Sequence, residues 1–438
     1  MNQPAPDAAW QIQTLADSAK LLADRGELRE AEDIYRRILE VAPYHVRSLN
    51  FLAVQAMIRG ELDKSRAYLE QALRAAPDRA ILNQNMGLVQ RERGELADAL
   101  IWLDRAIALK PEHRNARLHK GAVLMELGRR DEAVSIYWQA WRNFPNPELV
   151  ANDPFTPLAI RNLVREAAEH IRAKQVQLIA DALAPLHERH GADALARVDE
   201  MAEIYVGRRT PVYQHALQRP AFLYLPHLKA DPVPARSKFP QLRHLESATD
   251  AIREELRAVL ASGEGLAPYV RIPAGQDPQQ WADLAGSSQW SSLHFYKAGE
   301  AVKENLDRCP HTAAALAALS LPQIPGHAPE AFFSILNPGA HIPSHFGLAN
   351  YKLAVHLPLM VPPDCSIRIG NDTHGWKEGE CLVFDDSFQH EAWNRSDKSR
   401  VVLIMEMWHP EVSEAEREGI VAMVGAIEDF SRKYGGAA

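Results

Sequence analysis

Cysteine is nearly absent: Cys309, Cys365 and Cys381 are the three thiols in 438 residues. A small, odd number in a long chain excludes a disulfide framework and makes a reducing compartment the default. Long apolar runs are missing as well. None reaches the roughly 18 residues that suggest a membrane span, and the opening MNQPAPDAAW has no basic stretch followed by an apolar one. The expectation is a cytoplasmic protein with no membrane partner. Positive charge is in short supply: 49 Lys and Arg face 57 Asp and Glu, for a net charge of −8. Without a long basic run, the electrostatic footprint of a nucleic-acid binder is absent. Histidine, by contrast, is plentiful at 18, so any metal chemistry here is expected to be imidazole chemistry. The remaining composition, 46% apolar and 24% charged, is that of a globular chain, and its length suggests two or three domains.

The first third repeats. Gly26, Gly60, Gly94 and Gly128 recur every 34 residues, and Pro43, Pro77, Pro111 and Pro145 keep the same period. Between them fall Ala31, Ser65, Ala99 and Ala133, then Tyr35, Leu69, Leu103 and Tyr137. Small residues also recur at Ala19, Ala53, Gly87 and Gly121. This is the tetratricopeptide pattern. Glycine opens the turn between paired helices, small residues let the helices approach, and proline stops the second helix. Four repeats over residues 10–147 predict eight helices in an α-solenoid with a concave groove. A peptide or protein partner is the expected occupant of that groove; a spacer or dimerisation surface is the alternative.

From Asn152 to about Leu228 the pattern stays helical but leaves the register. Residues 148–235 are read as a helical cap and connector, because the end of a solenoid needs covering. The stretch ADPVPARSKFP, with three prolines, is read as a domain boundary. One further helix is expected from Thr249. After Trp290 the period changes to two, with turn residues at short intervals. SSLHFYKAG, EAFFSILNPG, YKLAVHLPLMV, CSIRIGND, CLVFDDSF, HEAWNRSD and SRVVLIMEMWH are read as strands, and SEAEREGIVAMVGAIEDFSRKYG as a closing helix. Many short strands predict a sandwich, barrel or jelly roll over residues 236–438. The fold class is therefore multidomain α + β.

His345, His356 and His390 lie in these strands or at their ends. His341 and His345 are four apart, but Pro343 between them disfavours a helix, and on a strand they would stand about 13 Å apart. They do not form a two-ligand site by themselves. Spacing alone leaves these histidines as hydrogen-bonded residues or ligands.

The runs GAHIPSHFGLANYKLAVHLPL and GWKEGECLVFDDSFQHEAWNRSDKSRVVLIMEMWHP resemble the aspartyl/asparaginyl β-hydroxylase family over roughly Trp290 to Pro410. The resemblance implies a double-stranded β-helix and an oxygenase that uses Fe(II), 2-oxoglutarate and O2. It places two iron ligands on His345 and His390. Oxygenase iron is commonly held by two histidines and a carboxylate. Gly347 stands where that carboxylate is expected, and the family is similar in having glycine there. The resemblance also implies Arg400 and Ser334 for the far carboxylate of 2-oxoglutarate, His356 for its other side, and Asp386 as an acid near iron-bound water. One position departs: an arginine two residues before the histidine is replaced by Ala354. Strand alternation puts Lys352 on the same face, about 7 Å further along, as a candidate substitute. The implied activity is hydroxylation of an unactivated C–H, with Cβ of an Asp or Asn residue in a polypeptide as the target. A hydroxylase or halogenase of a free or carrier-bound amino acid or lipid chain, and a non-catalytic repeat adaptor, are the alternatives. Oligomeric state is not legible.

Overall fold

The protein is described by a computed structural model over residues 6–142, 147–271 and 281–435. Eight helices follow the repeat register among these residues. They pair as α1 (Pro6–Asp24) with α2 (Leu28–Val41), α3 (Val46–Ile58) with α4 (Leu62–Ala75), α5 (Ala80–Glu92) with α6 (Leu96–Leu109), and α7 (Arg114–Glu126) with α8 (Arg130–Arg142). Gly26, Gly60, Gly94 and Gly128 each turn the chain between paired helices at φ of 74–83°, which only glycine adopts without strain. The small positions are contact points. A Cβ on Gly121 would lie 2.2 Å from the Tyr137 ring, and one on Gly87 would lie 2.8 Å from Leu103 Cγ. Pro145, the fourth repeat proline, falls outside the described residues.

The chain divides into two compact units, residues 1–174 with 430–438, and residues 175–429. Helices α9 (Pro147–Asn152), α10 (Leu158–His190) and α11 (Ala192–Tyr205) follow the repeats. The stretch read as a cap is therefore shared: its portion beyond residue 174 belongs to the second unit. There Leu195, Val198 and Met201 bury against Ile420, Met423 and Val424. The proline-rich stretch does not separate units. Pro232 O accepts the Asp385 N–H at 3.0 Å, and Phe239 is buried in the main core of the second unit.

Helices α12 (Leu242–Ser247), α13 (Thr249–Ser262), α14 (Lys303–Arg308) and α15 (Pro310–Ala317) accompany two antiparallel sheets in a jelly-roll-like arrangement. The strands are β1 (Ala267–Pro268), β2 (Trp290–Lys297), β3 (Glu300–Ala301), β4 (Ala331–Leu336), β5 (His341–His345), β6 (Lys352–Met360), β7 (Cys365–Ile369), β8 (Asp372–His374), β9 (Leu382–Phe384), β10 (His390–Asn394) and β11 (Arg400–Trp408). Helix α16 (Glu414–Tyr434) follows. The larger sheet runs β1-β2-β4-β11-β6-β9, with β3 on β2, and the smaller runs β5-β10-β7-β8. CLVFDDSF, read as one strand, is strand only to Phe384. The Asp385 carboxylate accepts Ser387 N–H and O–H and folds the rest into a turn.

Period two sorts the larger sheet by parity. Odd residues Leu293, Phe333, Leu353, Val355, Leu403 and Met405 pack with Leu245, Ile252 and Leu256 under the helices. Even residues Trp290, His294, Ser334, Ala354, His356, Arg400 and Glu406 face the smaller sheet and line a cavity of about 540 Å³. An apolar floor from both sheets, including Leu336, Ile342, Ile367 and Ala392, closes part of the space between them.

Candidate active site

His345 ends β5 and His390 begins β10, and the ladder pairs them directly. Their ring centroids are 4.1 Å apart. Each Nδ1 is tied to a carbonyl two residues back, His345 to Pro343 O at 2.8 Å and His390 to Phe388 O at 2.9 Å. A carbonyl only accepts, so each Nδ1 carries the proton and each Nε2 presents a lone pair. Burial holds both rings neutral. It lowers the His345 pKa, and together with the adjacent His345 pushes His390 down to about 3. Neutral imidazoles with carbonyl-fixed tautomers are ready metal ligands. His341 takes no part: it bonds Glu391 at 2.9 Å and stacks on Trp393.

Among the described residues no three His, Cys, Asp or Glu side chains gather into a closed metal cage. The two imidazoles are accompanied instead by Asp386. A Cβ on Gly347 would fall 2.2 Å from the Asp386 carboxyl carbon, so that carboxylate occupies the room a side chain at 347 would need. Its Oδ1 is buried without a hydrogen-bond partner, and burial raises its pKa to about 8. A two-imidazole face beside an orphaned carboxylate fits a bound cation whose water the carboxylate would hold.

Both loops are braced by a segment that sequence reasoning assigns to the connector. Ala221 N donates to Gly347 O at 2.9 Å, Arg219 N to Ser387 O at 2.9 Å, and Gln389 N to Leu217 O at 2.9 Å. Gln218 Nε2 reaches the Asp385 carboxylate at 2.9 Å. Gln218 and Asp385 carry no motif of their own; only the fold brings them together.

At the other end of the cavity Arg400 is 1% exposed. It donates to Ser334 Oγ at 3.3 Å, lies 4.9 Å over the Trp376 ring, and leaves its Nε unpartnered. Among the described residues no carboxylate pairs with it, and burial pulls its pKa down to about 10. Ser334 also accepts the Trp290 indole N–H at 3.0 Å. His356 accepts the Trp376 indole N–H at its Nδ1 at 3.3 Å, which leaves its Nε2 as a donor. Burial, and then Arg400, hold His356 neutral. Sequence reasoning misses Trp290, which opens β2, and Trp376, which lies between β8 and β9.

Lys352 reaches the same cavity, but as the partner of Glu406 on β11. Its charge is matched inside the protein. Ala354 sits opposite Glu406 and Phe384 in the ladders. The structure thus brings together His345, His390, His356, Ser334, Arg400, Asp386 and Lys352, and Lys352 differs from expectation in being already paired.

Residues 246–410 match the family model described as aspartyl/asparaginyl beta-hydroxylase, and residues 17–146 match a tetratricopeptide-repeat model in three overlapping spans. The chain is 32% identical to mouse aspartate beta-hydroxylase domain-containing protein 1 over 56% of this chain and 66% of that one. It is 35% identical to the ornithine lipid ester-linked acyl 2-hydroxylase of Rhizobium tropici over 41% and 61%. It is 31% identical to human aspartyl/asparaginyl beta-hydroxylase over 45% of this chain and 25% of that one. The chain thus spans less than two thirds of these relatives' lengths. Residues 246–410 are a domain of the aspartyl/asparaginyl beta-hydroxylase family, carried behind tetratricopeptide repeats.

Proposed function

We propose that this domain is an Fe(II)- and 2-oxoglutarate-dependent oxygenase that hydroxylates an unactivated C–H bond. The observation that carries the reading is one cavity with two neutral imidazoles on one wall and a buried, carboxylate-free guanidinium on the other. A buried cation without an anion is costly, and a dicarboxylate with one arm on Arg400 and Ser334 relieves that cost. His345 and His390 would hold the metal through Nε2. Asp386 would accept a hydrogen bond from water at the metal through its orphaned Oδ1, and His356 would donate from Nε2 to a carboxylate of the cosubstrate. Iron, when bound, supplies the activation of O2 that is coupled to conversion of 2-oxoglutarate to succinate and CO2. The protein's own part is to orient these groups in a cavity whose apolar floor excludes water.

The names of the relatives support hydroxylation. The repeat array supports a polypeptide substrate, since holding it nearby raises its effective concentration. The resemblance supports an Asp or Asn side chain as the target. One observation favours a second reading, a lipid chain or free amino acid. With Lys352 paired and Ala354 uncharged, no free buried cation among the described residues stands beside Gly347 to receive an acidic side chain. The test is succinate formation together with iron content. His345→Ala and His390→Ala are each expected to lower both, turnover by more than about a hundredfold; unchanged turnover in either variant overturns the ligand assignment.

A further inference from the structure

The even-numbered face of β11 gives the cavity a direction. Arg400 and Glu406 are six residues apart on one strand, about 20 Å along it. If Arg400 takes the cosubstrate, as proposed above, the Glu406 end is left for the substrate. A wall of rings leads there: Tyr269 stacks on Trp290 at 4.0 Å, on Phe332 at 5.1 Å and on His294 at 6.1 Å.

The charges at this end can be matched one by one. Lys352 is paired with Glu406, whose other oxygen accepts the Glu330 N–H at 3.2 Å. His327 is bonded to Glu428 at 2.8 Å and stacked on Phe222. Lys297 is exposed at the rim, where solvent screens it. Glu330 remains. Its Oε1 accepts the Ala298 N–H at 2.6 Å, and its Oε2 faces His294 Nε2 at 3.5 Å. That histidine does not neutralise it, because burial pushes the His294 pKa down to about 4. Among the described residues, no lysine or arginine lies within 4 Å of the Glu330 carboxylate, and His294 is the titratable group it faces. Burial, and then the neighbouring Glu406, raise its pKa against the opposing Ala298 N–H and the more distant charges of Lys352 and Lys297. A half-buried carboxylate without a cation, set at the edge of a ring-lined wall, is the chemistry that receives an ammonium or guanidinium group.

We infer that Glu330 and the Tyr269–Phe332–His294 wall form a subsite for a positively charged group of the substrate, next to the bond that is oxidised. The group would be a lysine or arginine side chain flanking the target in a polypeptide, or an amine head group on an acyl chain; the chemistry is shared. The subsite rests on the hydroxylase reading only for which end of the cavity the substrate takes.

Binding separates the two ideas, because it needs neither metal nor turnover. The full-length protein is titrated by calorimetry, without iron, with pentapeptides that carry lysine, norleucine or glutamate at the centre. A second series uses dodecylamine and dodecanol below their micelle concentrations. The lysine peptide or the amine is expected to bind at least about tenfold tighter than its uncharged counterpart, and whichever series shows the preference names the source. Glu330→Gln should remove the preference, and Glu330→Lys should turn it toward the glutamate peptide, a gain that misfolding cannot produce. Equal binding of all probes to the native protein, or a preference that survives Glu330→Gln, overturns the subsite. Either result leaves the assignment of His345 and His390 untouched, which succinate formation decides.

Discussion

In the repeat array the close approaches are local and identical in kind: Tyr137 fills the notch at Gly121, and Leu103 fills the one at Gly87. In the second unit the decisive contacts join distant residues, Arg400 with Ser334 across 66 positions and Gln218 with Asp385 across 167. The charges lining the cavity also differ from the buried acid of the array. Glu32, a buried acid of the array, is shared between Arg36 and Arg59. Around the cavity, among the described residues, Arg400 makes no ion pair with a carboxylate, and Asp386 and Glu330 make none with a lysine or arginine. Incomplete pairing is costly in a scaffold and useful where a ligand completes it. The contrast separates a region built for shape from a region built to receive charge.

Three substitutions press on that contrast. The largest effect is expected at Arg400→Met, which removes the buried cation that lacks a carboxylate while keeping its bulk. The KM for 2-oxoglutarate should rise by about a hundredfold while iron binding persists; an unchanged KM would mean that the guanidinium is structural. Next is Gly347→Asp, whose new side chain collides with the Asp386 carboxyl. Turnover should fall by about tenfold or more, and Asp386→Ala in the same chain should restore folding by vacating that room. If the single variant melts like the native protein, the crowding at 347 is not as described. The smallest effect on chemistry is expected at Gly121→Ala, where the added methyl meets the Tyr137 ring. The array should lose about 1–3 kcal/mol of stability, while succinate formation without added substrate stays as it was. A parallel loss of that turnover would show that the two regions do not behave independently.

Much of this is legible in the chain itself. The glycine register marks the helix boundaries of the array, because a left-handed turn and a tight helix contact each restrict the residue locally. Alternation marks most strands, and parity alone puts Lys352, Ala354 and His356 on one face. The turn at Asp385 is not legible, because it depends on a carboxylate that folds back on Ser387 and is held by Gln218 from a segment far away. The same holds for the proline-rich stretch 230–240. Its composition is that of a linker, yet the Asp385 N–H and the core around Phe239 tie it into the second unit.

By itself the sequence determined a repeat array and a strand-rich region, both through periodicity, while the pairing of His345 with His390 came from the resemblance of its motifs to a known family. Only the tertiary structure decided that Lys352 is already matched by Glu406, that Asp386 fills the room beside Gly347, and that Glu330 faces a histidine and no lysine or arginine within 4 Å. Charge pairing is a property of space. Strands neighbouring in a sheet bring together residues that the chain keeps far apart, and no local pattern records which of them will meet.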